Sequence, residues 1–159
     1  MSRVIPNEQS YLGFLPAVAS VAAPTVAEIT AGTDLTSFLI SLNASSQGNT
    51  VPTPNISTLF ETSIPGTVQA SLTADFYRDD DVSGDTAWTT LPRATEGFFV
   101  IQRFGATPGT DPGSGDKVEV WPVMVVSRTM SNMANNTAMT FTVTCSVPDV
   151  PNENATVAA

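Results

Sequence analysis

The residues of this chain best suited to chemistry are carboxylates. Asp79, Asp81, Ser83, Gly84 and Asp85 occupy positions 1, 3, 5, 6 and 7 of a calcium loop, in which oxygen ligands alternate along the chain and a glycine makes the sharp turn. Position 12 of that pattern falls on Thr90 instead of a bidentate Glu, and no long helix precedes it. A solvated acidic loop is the plainer reading. Residues 109–117 have the flavour of a phosphate loop, but Asp116 separates Gly115 from Lys117 and a strand pattern follows where that motif needs a helix. The chain has no His and no Gly-x-Ser-x-Gly turn, so the commonest general base and the nucleophile elbow are both missing. Cys145 is the single cysteine. A disulfide within one copy is excluded, and most transition-metal sites lose their ligands. Cys145 alternates with Phe141 and Val143, as a buried structural thiol would, and Trp88 and Trp121 read as core residues. The expectation is a protein that is not an enzyme, with no catalytic, cofactor-binding or metal residues.

Charge narrows the partners. Fifteen acids face six Lys and Arg, a net charge of −9, and no basic cluster is available to displace counterions from nucleic acid. No apolar run reaches the roughly 20 residues needed to span a membrane. Residues 12–23 are apolar and end in small residues, loosely like the cleavage region of a secretory peptide. Glu8, however, stands where a positive region belongs, and Gly13 and Pro16 interrupt the run. A structured or interface-forming N-terminal arm is expected instead. The Asn-x-Ser/Thr triplets at Asn43, Asn55, Asn135 and Asn154 then carry no glycans.

The strongest pattern that could position anything is residues 67–77. Val68, Ala70, Leu72, Ala74 and Phe76 alternate with Gln69, Ser71, Thr73, Asp75 and Tyr77, the period of a half-buried strand. Asp85 is placed to cap a short helix that Pro92 stops, with Trp88 and Leu91 on one face, and a strongly apolar strand follows from Gly97 to Phe104. Thr25 and Glu28 form a capping box for a two-turn helix that Gly32 ends in a left-handed stop. Residues 34–44 read as a strand, with Phe38, Ile40 and Leu42 on one side. Residues 45–65, rich in Pro, Ser and Thr, read as a long loop carrying Ile56, Leu59, Phe60 and Ile64. Such loops are uncommon and usually serve binding. Residues 117–128 form the longest strand candidate, with a bulge or edge position required at Pro122, and residues 137–147 close the pattern. The sum is an all-β, mainly antiparallel sandwich or barrel with one or two short helices. It forms a single domain over 1–147, with an N-terminal arm and helix at 1–33 and a flexible polar tail at 148–159.

Beyond composition, Phe60-Glu-Thr-Ser-Ile-Pro-Gly-Thr67, Thr73-Ala-Asp-Phe-Tyr-Arg-Asp-Asp80, Asp85-Thr-Ala-Trp88, Leu91-Pro-Arg93, Gly97-Phe-Phe-Val100 and Val118-Glu-Val-Trp-Pro-Val123 follow one another in an order that resembles the major tail tube proteins of long-tailed, siphovirus-type phages of actinobacteria. The resemblance implies a structural virion subunit. Six copies would form a ring with an inner β-barrel, and rings would stack into a tube that conducts double-stranded DNA without binding it specifically. It also implies a tape measure protein, a tail tip and a tail terminator as partners, with assembly in the host cytoplasm and no membrane. Leu59, Phe60 and Ile64 become inter-subunit contact candidates, and residues 45–65 an assembly loop. Asp75, Thr140, Thr142 and Thr144 become candidates for the lumen, the exterior being the other place for them. A capsid decoration protein and a secreted adhesive or binding sandwich are the alternatives from other classes.

Overall fold

The computed structural model describes residues 8–80 and 84–159. In chain order the elements are β1 (Tyr11–Leu15), helix α1 (Val26–Ala31), β2 (Thr33–Asp34), a 3-10 turn (Thr36–Phe38), β3 (Leu39–Thr53), β4 (Thr62–Tyr77), helix α2 (Thr86–Thr90), β5 (Glu96–Gln102), β6 (Lys117–Met130), β7 (Thr140–Ser146) and β8 (Asn152–Thr156). The strands make one antiparallel sheet in the order β2-β1-β5-β6-β7-β4-β3, with β8 added to β6. The two end strands, β2 and β3, are consecutive in the chain, so the sheet must curl to bring its ends together. Leu35 N–H bonds Leu12 O at 2.8 Å and Leu12 N–H bonds Thr36 Oγ1 at 3.0 Å, which fixes that turn against β1.

Strand alternation sorts the apolar residues into two cores. Leu12 and Phe14 of β1, Phe99 and Ile101 of β5, Trp121, Val123 and Val125 of β6, Phe141 and Val143 of β7, and Leu72 and Phe76 of β4 fill the larger one. The opposite faces of β1, β5 and β6 send Tyr11, Leu15, Val100, Val118 and Val120 to a second, closed by Ile29 of α1 and by Ala155 and Val157. β1 is therefore buried along its whole length. Phe76, Phe99 and Phe141 are fully buried, each worth about 1.5–3 kcal/mol relative to exposure.

Four sequence expectations change. Residues 45–65 are not a loop: β3 and β4 continue through them as a two-stranded hairpin with its turn at 54–61. Pro52 and Pro65 are compatible with this because the outer edges of the hairpin are unpaired. Residues 148–159 are not a free tail, since β8 pairs with β6 and Ala158 bridges Thr25; burial of Ala155 and Val157 holds them. In β3, Leu39 opposes Phe76 and Ser41 opposes Asp75, leaving Ile40 as the extra residue of a bulge. Leu39 and Leu42 both pack on the larger core in consequence, and Phe38 belongs to the 3-10 turn. Gly32 ends α1 in an extended conformation, φ −75 and ψ −172, not a left-handed one. Its glycine is required by close approach, because a Cβ would lie 2.8 Å from Phe14 O. The capping box itself is formed, with Glu28 N–H on Thr25 Oγ1 and Thr25 N–H on Glu28 Oε2.

Pro122 sits where its missing N–H costs nothing. One side of β6 pairs with β5 from Glu119 to Met124, whereas on the other side pairing with β8 stops at Val120 and pairing with β7 starts at Met124. β1 is pressed onto β5 just as closely as the ladder allows, because a Cβ at Gly97 would meet Phe14 Cζ at 2.4 Å and Leu15 O at 2.7 Å. The backbone oxygen cannot swing aside. Gly97→Ala is expected to cost about 1–3 kcal/mol, lowering the thermal midpoint by several degrees without changing the far-ultraviolet circular dichroism of the folded state.

Candidate functional site

Among the described residues no cluster of catalytic groups forms, but two surfaces stand out, and both come from the long strands. The first is the face of β3, β4, β7 and the end of β6 that points away from the larger core. In register across it run Ser41, Asp75, Thr142 and Thr129, then Asn43, Thr73, Thr144 and Ser127, then Ser45, Ser71 and Ser146. The alternation that buries Leu72, Ala74 and Phe76 exposes these neighbours. Thr140 lies beside them opposite Tyr77. Asp75, Thr140, Thr142 and Thr144 are thus brought together on one surface. Asp75 is the one charged residue among those named, and its carboxylate accepts hydrogen bonds from Thr142 Oγ1 at 2.5 Å and Ser41 Oγ at 2.7 Å. Those hydroxyls, Thr142 foremost, hold its pKa below the ordinary carboxylate range. The surface is hydroxyl-rich, neutral apart from this carboxylate, and without a cation.

The second surface is the hairpin that β3 and β4 form beyond the sheet. β7 covers β4 only from Ser71 to Tyr77, so residues 62–70 and their β3 partners extend as a two-stranded arm. Val51 opposes Ile64 on it, and both are about half exposed. At the turn, Leu59 is 109% exposed and Phe60 77%. The three contact candidates therefore share one projection, with Ile56 added at its tip. Single exposed apolar residues are ordinary; several on one slender arm mark an interaction site.

Sequence reasoning missed a third feature. A cleft of about 760 Å³ opens between the end of β5 and the start of β3, lined by Leu39, Leu42, Ile101, Gln102, Arg103 and Phe104 among others. Its walls come from strands far apart in sequence, so no local pattern announces it.

Asp85, the last acid of the acidic segment, serves structure. Asp85 makes no capping hydrogen bond to α2; it is buried and accepts from Arg78 Nε at 2.6 Å and from Asp79 N–H at 3.3 Å. Burial makes an ion pair a better use of this carboxylate than an exposed cap. Arg78 and Arg128 both lie over Trp88, at 4.1 and 3.3 Å from its ring, and Arg128 Nη1 donates to Trp88 O at 2.7 Å. Trp88 packs edge-on against Phe141, while Trp121 is buried with its indole N–H on Glu119. Asp81 and Ser83, on which the calcium reading depends, lie outside the described residues. Among the described residues no three His, Cys, Asp or Glu side chains gather as metal ligands. Cys145 is buried, and desolvation pushes its thiol up to about 12, where it is neither nucleophile nor ligand.

Comparison with known proteins follows the same direction. A family model described as phage tail tube protein matches residues 1–159. No curated protein sequence matches the chain. Among solved structures, a chain from the tail of an empty gene transfer agent particle, refined with C6 symmetry, aligns with a TM-score of 0.57 at 10% identity, covering 94% of this chain and 98% of that one. A chain of the 6-fold symmetrised anti-feeding prophage baseplate gives 0.55 at 11% identity, with 94% and 95% covered. A chain from the native gene transfer agent virion gives 0.52 at 12% identity, with 77% and 88% covered. At these identities the likeness is one of fold.

The Asp75 contacts imply a pH dependence of defined sign. A carboxyl whose folded pKa is depressed adds stability above its unfolded pKa, about 3.9, and loses it as pH falls through the folded value. In urea titrations between pH 6 and 2, the stability gap between the wild type and Asp75→Asn is expected to narrow below about pH 4. A gap that stays constant with pH would show that Thr142 and Ser41 do not favour the carboxylate.

Proposed function

Because the chain belongs to the phage tail tube protein family, we propose that six copies close into a ring, that rings stack into a hollow tube, and that double-stranded DNA passes through it from capsid to host. The match of the family model to the whole chain carries this reading. The six-fold symmetry of the gene transfer agent tail and of the anti-feeding prophage baseplate supports the ring number. The role is structural, not catalytic. The tail is of the long siphovirus type and the host an actinobacterium, a reading supported by the order of the motifs quoted above. The tape measure protein inside the tube, with the tip and terminator at its ends, completes the partners. Tubes form in the host cytoplasm and reside in the virion.

Physical chemistry assigns the surfaces. The hydroxyl-rich face with Asp75, Thr140, Thr142 and Thr144 lines the lumen. It offers no Lys or Arg to phosphates, and each such contact would add adhesion that slows a passing duplex. The net charge of −9, multiplied over six copies, repels DNA further. Ring closure pairs the outer edge of β3 with a neighbouring copy and so removes an edge that would otherwise aggregate. Leu59, Phe60 and Ile64 bury against another subunit.

Electron microscopy of the concentrated protein tests the reading. Rings or hollow tubes with six-fold end views are expected; particles that stay small even when seeded with tail tips would overturn it and move weight to a decoration protein. Like charges oppose association, so assembly should accelerate as salt rises from about 0.05 to 0.5 M and the screening length shortens; rates independent of ionic strength would contradict this. Amide hydrogens of residues 45–65 should gain protection on assembly, and equal exchange in monomer and tube would show that the arm docks on nothing.

A further inference from the structure

We propose that the cleft between the end of β5 and the start of β3 is the receptor for the hairpin tip of another copy, so that Leu59 and Phe60 of one subunit seat beside Ile40, Ile101 and Phe104 of the next. This inference rests on the tube reading and names the contact that joins successive subunits.

Four observations select this occupant. First, one chain carries both an apolar projection and an apolar cleft, and among the described residues each lacks a partner within its own copy: Leu59 and Phe60 stand free at the tip, while Ile40 and Phe104 are exposed at the mouth of the cleft. A cleft of about 760 Å³ lies in the range that encloses a small ligand, so two such side chains fit. Second, the two features lie at opposite ends of the same strand. β3 has 15 residues, roughly 45 Å at about 3.3 Å per residue; it starts in the cleft wall and ends at the arm's turn. A projection and a receptor on opposite ends cannot meet within one copy, and between copies they make a heterologous, head-to-tail contact that repeats. Third, a cation lines the cleft and an acid adjoins the tip. Glu61 adjoins the tip residues, and Arg103, whose side chain is 45% exposed although it pairs with Glu119, lines the cleft. Its guanidinium is held by both Glu119 oxygens, with Glu153 nearby, so Glu61 would meet only the exposed side of Arg103. Fourth, Gln102 in the cleft wall is 4% exposed, and its Oε1 has no hydrogen-bond partner among the described residues. Buried acceptors of this kind are normally satisfied, and a rotation of this side chain toward an entering turn would give its oxygen a backbone N–H donor.

Disulfide trapping tests the contact in the full-length chain. Leu59→Cys and Ile40→Cys are placed together in one chain; both positions are exposed, so folding is preserved, and Cys145 is buried and unreactive. Mild oxidation of the assembled protein is expected to yield a ladder of covalent multimers on non-reducing electrophoresis, whereas each single variant gives none above background. The same samples are viewed by electron microscopy. Rings or tubes without the ladder would overturn the cleft as receptor and leave the tube reading standing; the absence of both assembly and ladder would reject the two together. As a second measurement, Phe60→Ser and Phe104→Ser should each raise the critical concentration for tube growth by about tenfold or more, with thermal unfolding of the monomer unchanged. A critical concentration equal to wild type in either variant would also count against the proposal.

Discussion

A strand edge is a row of backbone donors and acceptors that need partners, and the longest strands of this protein leave theirs open. Among the described residues β3 pairs on one side only, and β4 is covered on its second side for less than half of its length. In a monomeric sheet this arrangement is a liability, usually blunted by charge or by shortening the strand. Here residues 39–53 contain no charged side chain at all. The edge is open and left unprotected, which fits a subunit whose edges are completed by copies of itself.

The same strands separate two chemistries. One face of β4 and β7 supplies Leu72, Phe76, Phe141 and Val143 to the core; the other carries hydroxyls joined through Asp75. Because alternation links the faces, a slip of one residue would bury Ser and Thr and expose the core. The stacked Phe76–Phe141 pair and the Trp88 contact with Phe141 hold that register, with Arg78 and Arg128 clamping Trp88 from above the sheet. The short helix α2 owes its position to these contacts more than to its own five residues.

Where the physics is local, it could be read from residues alone. Alternation in 67–77 and 137–147 located β4 and β7, the Thr25–Glu28 box located α1, and Pro122 marked a gap in pairing. The polar face was legible for the same reason, since Asp75, Thr142 and Thr144 stand at alternating positions whose neighbours are apolar. What escaped depends on partners distant in sequence. The arm is rich in Pro, Gly and Ser, and only its pairing with itself makes it a hairpin. β8 has few apolar residues, and β6 and α1 recruit them into the second core. The bulge at Ile40 inverts an alternation that looked regular, and Asp85 turns from a cap into an ion pair because Arg78 approaches from β4. The cleft, made from both ends of the sheet, has no counterpart in any single segment.

The arm joins the sheet at an irregularity: Gly48 opposes Val68 and Thr50 opposes Pro65, so Asn49 faces two residues of β4. Ladder bonds are disrupted there, and the ribbon beyond is only two strands wide. In mechanical terms this is a stiff wall carrying a compliant tether. Load applied along a stack of such subunits would concentrate at the tether, letting neighbouring rings tilt while the wider sheet keeps its curvature. A conduit built this way would bend like an articulated hose, with the bend taken up between rings and not in the wall of the bore.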